Sequence, residues 1–167
     1  PEPGEPVEHP EYGIYHPHYG YSNSLKEFIP STSFEAANPT IGVLFWGGMH
    51  FDQAIPVINA LVDKLKGYNF IPVYVDGIHT LHAMREYFFL DGKVIVDCMI
   101  NLLWFRLNGG PFGGDPKPAL ELLVKLGVPV FAPPPMLMRE IEKWEESEMG
   151  LSPIEIICAV IWPELDG

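Results

Sequence analysis

Two apolar runs that flank a helix-like stretch constrain the fold more than any other feature. Residues 41–46 and 70–75 are almost continuously apolar and have the length of strands. The residues between them place apolar side chains at helical spacing, and a glycine at position 67 closes the stretch: Ala54, Ile55, Ile58, Leu61, Val62 and Leu65. Strands with no polar alternation are typical of parallel sheets covered on both faces, so the pattern predicts a βαβ unit.

The same alternation continues toward the C-terminus. It predicts strands over 93–99 and 128–132 and helices over 79–89, 117–126, 139–146 and 153–161. With right-handed crossovers, these elements make a flavodoxin-like three-layer α/β domain with a four-stranded parallel sheet in the order 2-1-3-4. In such a sheet the ligand crevice lies at the carboxyl ends of the strands.

The two ends of the chain differ from this core. Residues 1–39 are rich in Pro, Glu, Tyr and His, and they are expected to form an extended arm, with a short helix near 24–28, ahead of a domain over 40–167. Near the other end, Ser152, Pro153 and Glu155 have the spacing of an N-cap, a first helical position and a capping box. The chain begins with Pro1 and ends without a polar tail, so it is expected to be a fragment of a larger chain.

Composition narrows the class of partner. A chain of 167 residues with 47% hydrophobic content supports one core, and its net charge of -12 disfavours nucleic acid and anionic membrane surfaces. Cationic partners or a metal ion are easier to accommodate. No apolar run has the length of a membrane span. Cys98 and Cys158 lack metal-ligand spacing and are interpreted as reduced thiols of a cytoplasmic protein.

Two predicted strand exits are candidate binding loops. The first carries Gly47, Gly48 and Phe51, and the second is the loop 102–115. Glycines there either let backbone approach a ligand or serve as ordinary turn residues. The second loop contributes the candidate contacts Arg106, Asn108, Gly109 and Gly110. Neither loop has the pattern of a phosphate-binding loop, so the chain is not expected to hydrolyse ATP.

Histidines and carboxylates offer weaker metal candidates. His16 and His18, and His79 with His82, each form a pair without a third ligand of matching spacing, so solvated surface histidines are favoured. Glu164 and Asp166 follow a predicted helix, where they either face a cleft in the parent chain or are solvated carboxylates.

Several motifs in order resemble one family. They are residues 13–17 (Gly-Ile-Tyr-His-Pro), the strand 41–46 followed by His50, residues 108–111 (Asn-Gly-Gly-Pro), residues 128–130 (Val-Pro-Val), and the C-terminal segment from Gly-Leu-Ser-Pro to Pro-Glu-Leu-Asp-Gly. Together they resemble the large subunit of ATP-dependent metal chelatases, the family of the magnesium chelatase H subunit and the cobaltochelatase large subunit. The loop before His50 departs from the family pattern.

The resemblance implies a porphyrin-binding subunit that inserts Mg²⁺ or Co²⁺ into a tetrapyrrole, with ATP hydrolysis on separate AAA+ subunits. His50 is then a candidate base or metal ligand, because an imidazole titrates near neutral pH. A histidine that bonds loop backbone is the alternative. The fragment alone is expected to be inactive. Two other functions stay open: a flavodoxin-like module for a small ligand, and a purely structural interaction domain.

Overall fold

The computed structural model describes residues 10–48, 51–104, 106–109, 113–133 and 140–166, and every structural statement concerns these residues. Eight strands are present in them: β1 Tyr12–His16, β2 Gly20–Ser22, β3 Thr40–Trp46, β4 Asn69–Val75, β5 Phe89–Leu90, β6 Lys93–Val94, β7 Cys98–Asn101 and β8 Val130–Phe131. The helices are α1 Leu25–Ser31, α2 Phe51–Lys64, α3 Thr80–Tyr87, α4 Lys117–Leu126, α5 Ile141–Glu145, α6 Pro153–Ile156 and α7 Trp162–Asp166, with a π-helical segment Ile157–Ile161 between the last two.

Six of the described strands form one mixed sheet in the order β2-β1-β4-β3-β7-β8. Strand β3 is parallel to β4 and β7, and β7 is parallel to β8, whereas β1 is antiparallel to both β2 and β4. The predicted α/β class is therefore confirmed, whereas the sheet is mixed and not wholly parallel as predicted. The predicted number of four strands is too small, because two antiparallel strands extend the sheet beyond β4.

The two additional strands come from the stretch that was predicted to be an extended arm. In β1 the residues Gly13, Ile14 and His16 are buried, and Tyr15 is partly exposed. A buried glycine and a buried histidine hide the alternation by which an amphipathic strand is normally found. Helix α1 follows β2 and begins at the N-cap Ser24, whose hydroxyl accepts the backbone N–H of Glu27.

The predicted third strand over 93–99 is divided into two elements. Strands β5 and β6 form a hairpin whose turn is Asp91-Gly92, with positive φ at both residues. An Asp-Gly pair is the usual sequence of such a two-residue turn. Strand β7 begins only at Cys98. The preceding residue, Asp97, donates its backbone N–H to the Thr40 carbonyl, and its carboxylate accepts the Thr40 backbone N–H.

Helices cover both faces of the sheet. Helix α2 packs Ile58 against Ile41, Val43, Phe45, Phe70 and Tyr74 on one face. Helices α1, α3 and α4 pack against the other face in a larger cluster that contains Leu44, Ile71, Val73 and Met99. Burial on both faces explains why β3 and β4 are continuous apolar runs in the sequence.

The capping box of the C-terminal helical stretch is confirmed. The Ser152 hydroxyl accepts the backbone N–H of Glu155, and the Glu155 carboxylate accepts the backbone N–H of Ser152 at 2.6 Å. The helical stretch continues past its predicted end at 161 to Asp166. Within the described residues, no helix combines the length and apolarity required to cross a membrane.

Candidate functional site

A cavity of about 390 Å³ opens at the carboxyl edge of the parallel strands. We call it the carboxyl-edge cavity. Its lining comes from the residues before β1, from β2, from the end of β4 and from the β3–α2 connection: Pro10, Glu11, Tyr21, Gly48, Phe51, Asp52, Tyr74 and Asp76. Its volume lies within the usual range for small-molecule sites. Two of the predicted contact residues, Gly48 and Phe51, belong to this lining.

Aromatic rings form one side of the carboxyl-edge cavity. The Phe51 ring stacks on Tyr21 at 5.7 Å between centroids and meets Tyr74 edge-on at 5.7 Å. Burial and the nearby Tyr21 raise the pKa of Tyr74, and burial, with Tyr15 and Asp52, raises the pKa of Tyr21. Both phenols therefore remain neutral donors near pH 7, and the rings offer a flat apolar surface with polar edges.

Three carboxylates line the same cavity. Asp52 is exposed in the first turn of α2, and Glu11 lies next to β1. Asp76 follows β4, opposite Glu11, because β1 and β4 pair with Tyr12 against Val75. The negative charge makes this side of the cavity suited to a cation or to a group that loses protons, and unsuited to an anion.

Asp76 and Glu11 both contact His79. The Asp76 carboxylate uses Oδ1 to accept the backbone N–H groups of Ile78 and His79 at 2.9 and 3.0 Å, while Oδ2 lies 2.9 Å from His79 Nδ1. Glu11 Oε2 lies 3.4 Å from the same nitrogen. Burial opposes ionisation of Asp76, but its hydrogen bonds outweigh that and lower its pKa. The bond to Asp76 raises the pKa of His79.

Two loops at this edge approach Trp46, which is buried at the end of β3. The Trp104 ring, from the loop after β7, lies 5.8 Å from the Trp46 ring. A Cβ at Gly77, after β4, would lie 2.6 Å from the Trp46 ring. The Gly47 backbone N–H donates to the Val75 carbonyl at 2.8 Å. The edge at which sequence reasoning placed the site is thus where the strand exits meet.

In the glycine-rich loop, the described residues before position 110 contact those after position 112. Asn108 donates from its side-chain amide to the Asp115 carbonyl at 2.7 Å. A Cβ at Gly109 would lie 2.6 Å from the Gly113 carbonyl, and Arg106 lies beside Gly113. Gly109 is therefore required by loop closure. This favours the turn-chemistry interpretation for that glycine, while contact of the loop with a ligand stays a prediction.

Several predicted site residues are not placed. His50 and Gly110 lie outside the described residues. Glu164 is exposed on α7, and the side chain of Asp166 is outside the described part of the chain. The candidate roles of all four stay predictions.

The His16 and His18 pair lies at the opposite edge of the sheet, where it lines an amino-edge pocket of about 270 Å³ that also contains Asp63 and Tyr68. His16 is buried, so the prediction of a solvated surface histidine is wrong at that position, whereas His18 is exposed and its Nε2 lies 3.6 Å from Asp63 Oδ1. Among the described residues, the group with metal-ligand geometry is instead Glu11, Asp76 and His79. Sequence reasoning missed Glu11, Tyr21, Tyr74 and Asp76. The residues that follow β4, Asp76 and Gly77, are also a glycine-containing strand exit, which is the signal that predicted the two candidate loops.

The fold and the cavity define a mixed α/β domain with a ligand-sized site at the carboxyl edge of its parallel strands. The model of the CobN/Magnesium Chelatase family matches residues 1–167. The chain belongs to this family. The match favours the chelatase interpretation over the small-ligand module and the purely structural domain.

Relatives agree with this assignment. The chain is 30% identical over 169 residues to the H subunit of the magnesium chelatase of Cereibacter sphaeroides, an alignment that covers 97% of this chain and 14% of that protein. It is 32% identical over 177 residues to an uncharacterized protein of Methanocaldococcus jannaschii, covering 96% and 14%. The catalytic subunit of cobaltochelatase from Mycobacterium tuberculosis has a similar fold, with a TM-score of 0.61 and 22% identity over 97% of this chain and 13% of that one. The chain thus spans about a seventh of the relatives' length.

Proposed function

We propose that this chain is one segment of the large, tetrapyrrole-binding subunit of an ATP-dependent metal chelatase, and that its carboxyl-edge cavity forms one wall of the tetrapyrrole cleft. The observation that carries the proposal is the family match over all 167 residues. The similarity to the H subunit of a magnesium chelatase over 97% of the chain supports it. The metal, Mg²⁺ or Co²⁺, is a substrate of the complete subunit.

The arrangement of the parallel strands supports a flavodoxin-like core. Strands β4, β3, β7 and β8 are neighbours in that order, with α2 on one face and α3 and α4 on the other. In a sheet of this kind the strand order reverses between β3 and β7, and ligands bind at the carboxyl ends beside that point. We assign β1 and β2 to an antiparallel extension of this core.

Metal insertion sets clear chemical demands. The divalent ion replaces two pyrrole N–H protons, so the site must accept two protons and offer oxygen or nitrogen ligands in exchange for water. Asp52 and Asp76 are carboxylates in the cavity wall that can supply the oxygen ligands. His50, adjacent in sequence to Phe51, is the candidate base. The rings of Phe51 and Tyr74 supply apolar contact for a flat macrocycle.

Charge orients the substrate in this proposal. The carboxylate groups of a porphyrin would be repelled by Glu11, Asp52 and Asp76, so the wall faces the ring centre and its N–H groups. Arg106, beside the loop that carries Asn108, Gly109 and Gly110, is the cation on the side of the neighbouring strand exit. We assign the porphyrin carboxylates to that side.

The remaining parts of the proposal concern partners. The resemblance to the family assigns ATP hydrolysis to separate AAA+ subunits, and these 167 residues, which have no phosphate-binding loop, are consistent with that assignment. Other domains of the large subunit complete the cleft, and the 167-residue chain alone is inactive. The compartment is the cytoplasm, where Cys98 and Cys158 stay reduced thiols.

Three substitutions in the complete large subunit test the proposal. Asp52→Asn and His50→Ala alter the carboxyl edge, and Asp63→Asn is the matched control, because Asp63 is an exposed carboxylate at the other end of α2. With AAA+ partners, ATP and Mg²⁺ or Co²⁺, metalloporphyrin formation is followed by absorbance and fluorescence. We expect kcat to fall by at least ~100-fold in His50→Ala, the low side of general-base contributions, and metal insertion to slow in Asp52→Asn.

The control must keep the wild-type rate. Wild-type rates in both carboxyl-edge variants would reject the proposed wall. Equal losses in Asp52→Asn and Asp63→Asn would also reject it, because the effect would then come from the general charge of α2 and not from the cavity.

A further inference from the structure

We propose that Glu11, Asp76 and His79 form a binding site for a divalent transition-metal ion at the rim of the carboxyl-edge cavity. One ligand atom from each residue lies within 4.8 Å of the other two. The inference goes beyond the proposed function, because it concerns capture of an ion by these three side chains and requires no tetrapyrrole, ATP or partner.

The distances suit a shared ion. His79 Nδ1 lies 2.9 Å from Asp76 Oδ2 and 3.4 Å from Glu11 Oε2. Ligands at about 2.0–2.2 Å from a tetrahedral ion are separated from each other by about 3.4 Å. Small side-chain rotations therefore bring the three atoms around one ion.

Contacts with the surrounding chain hold the ligands in place before any ion binds. Asp76 Oδ1 accepts two backbone N–H groups at the start of α3, so its other oxygen is directed toward His79. The His79 ring packs against the Tyr12 ring at 5.9 Å between centroids. The pairing of Tyr12 with Val75 sets Glu11 opposite Asp76. Ligand positions fixed by surrounding contacts reduce the ordering cost of binding.

The ligand set selects the class of ion. One imidazole and two carboxylates suit Zn²⁺ or Co²⁺, whereas Mg²⁺ prefers oxygen ligands and retains its water. Three protein ligands leave a coordination position for water or a further ligand, as in catalytic zinc sites. Glu11 and Asp76 both line the carboxyl-edge cavity, so the ion would be bound at its rim. The negative lining also attracts a cation.

Metal titration of the 167-residue chain tests the inference directly. Zn²⁺ is titrated by calorimetry and Co²⁺ by its visible absorption, without porphyrin or nucleotide. We expect one equivalent to bind, with Mg²⁺ failing to compete at equal concentration. His79→Ala and Glu11→Gln should each weaken Zn²⁺ binding by at least ~10-fold, since even loss of an outer-shell partner costs 10–100-fold.

His82→Ala is the matched control. His82 is an exposed histidine one turn further along α3, and its ring lies 6.1 Å from that of His79. The variant should bind Zn²⁺ with wild-type affinity. The Glu11 side chain is 67% exposed, so Glu11→Gln should fold normally. Loss of binding in this variant would therefore not be caused by misfolding.

Three outcomes would overturn the inference: no saturable binding of Zn²⁺ or Co²⁺ by the wild-type chain, wild-type affinity in His79→Ala, or an equal loss in His82→Ala. Each outcome would show that Glu11, Asp76 and His79 form an ion-paired cluster and not a metal site. None of them bears on metal insertion into a porphyrin, so this failure is distinguishable from failure of the proposed function. Conversely, metal binding with unchanged insertion in the carboxyl-edge variants would retain the metal site and reject the cleft.

Discussion

At the scale of single residues, two histidines have opposite electrostatic surroundings. His16 is 6% exposed, its Nδ1 accepts the backbone N–H of His18 at 3.2 Å, and burial, together with the nearby His18, lowers its pKa to about 4. His79 is partly exposed between two carboxylates, and the bond to Asp76 raises its pKa. Relative to a free imidazole, the fold therefore favours the neutral form of His16 and the protonated form of His79.

His16 predicts a loss of stability on acidification. Its pKa is about 4 in the folded chain and near ~6.5 in the unfolded chain, so the unfolded chain binds more protons between these values. The free energy of unfolding then decreases as pH falls from about 6.5 to about 4. Between pH 7 and 5 the contribution of His16 is about 2 kcal/mol.

Urea unfolding followed by circular dichroism at pH 7 and 5 measures this loss. His16→Asn keeps an acceptor near the Nδ1 position and removes the titration, so its stability should change less between the two pH values than that of the wild type. His18→Asn is the control, because His18 is exposed and the variant should retain the wild-type dependence. A wild-type pH dependence in His16→Asn would contradict the account.

At the scale of elements, local sequence signals correctly predicted the features that depend on local backbone conformation alone. The Ser152 capping box and the bounds of α4, which ends at Gly127 with positive φ, follow from such signals. Strand β1 did not, because its buried residues include His16 and its place in the sheet depends on pairing with β4. The β5–β6 hairpin overlaps the predicted third strand, although Asp91-Gly92 marked its turn.

The capping box predicts a measurable stabilisation. Ser152→Ala removes the hydroxyl that accepts the Glu155 N–H, and it keeps the backbone N–H that bonds the Glu155 carboxylate. We expect the free energy of unfolding to decrease by about 1 kcal/mol in chemical denaturation. Ser152→Asp supplies another good N-cap and should restore most of the loss. An unchanged stability in Ser152→Ala would show that the C-terminal helical stretch does not depend on its cap.

At the scale of the whole molecule, the sequence predicted the edge of the sheet that carries the cavity but only part of its lining. The edge followed from the parallel βα pattern, since the carboxyl ends of such strands meet. The lining draws on distant segments: antiparallel pairing of β1 with β4 sets Glu11 opposite Asp76, and Phe51 follows β3, which pairs with β4 in parallel. That pairing depends on tertiary contacts, so no local motif indicated Glu11 or Tyr21.

Under the proposed function, the carboxyl edge of this sheet faces a tetrapyrrole. A structure of the complete large subunit with a bound porphyrin would show the position of the ring. We expect the ring to lie against the carboxyl-edge cavity, in contact with Phe51 or Tyr74 and with its N–H groups toward Asp52. A porphyrin bound at the amino-edge pocket beside His16 and Asp63, or away from this chain altogether, would contradict it.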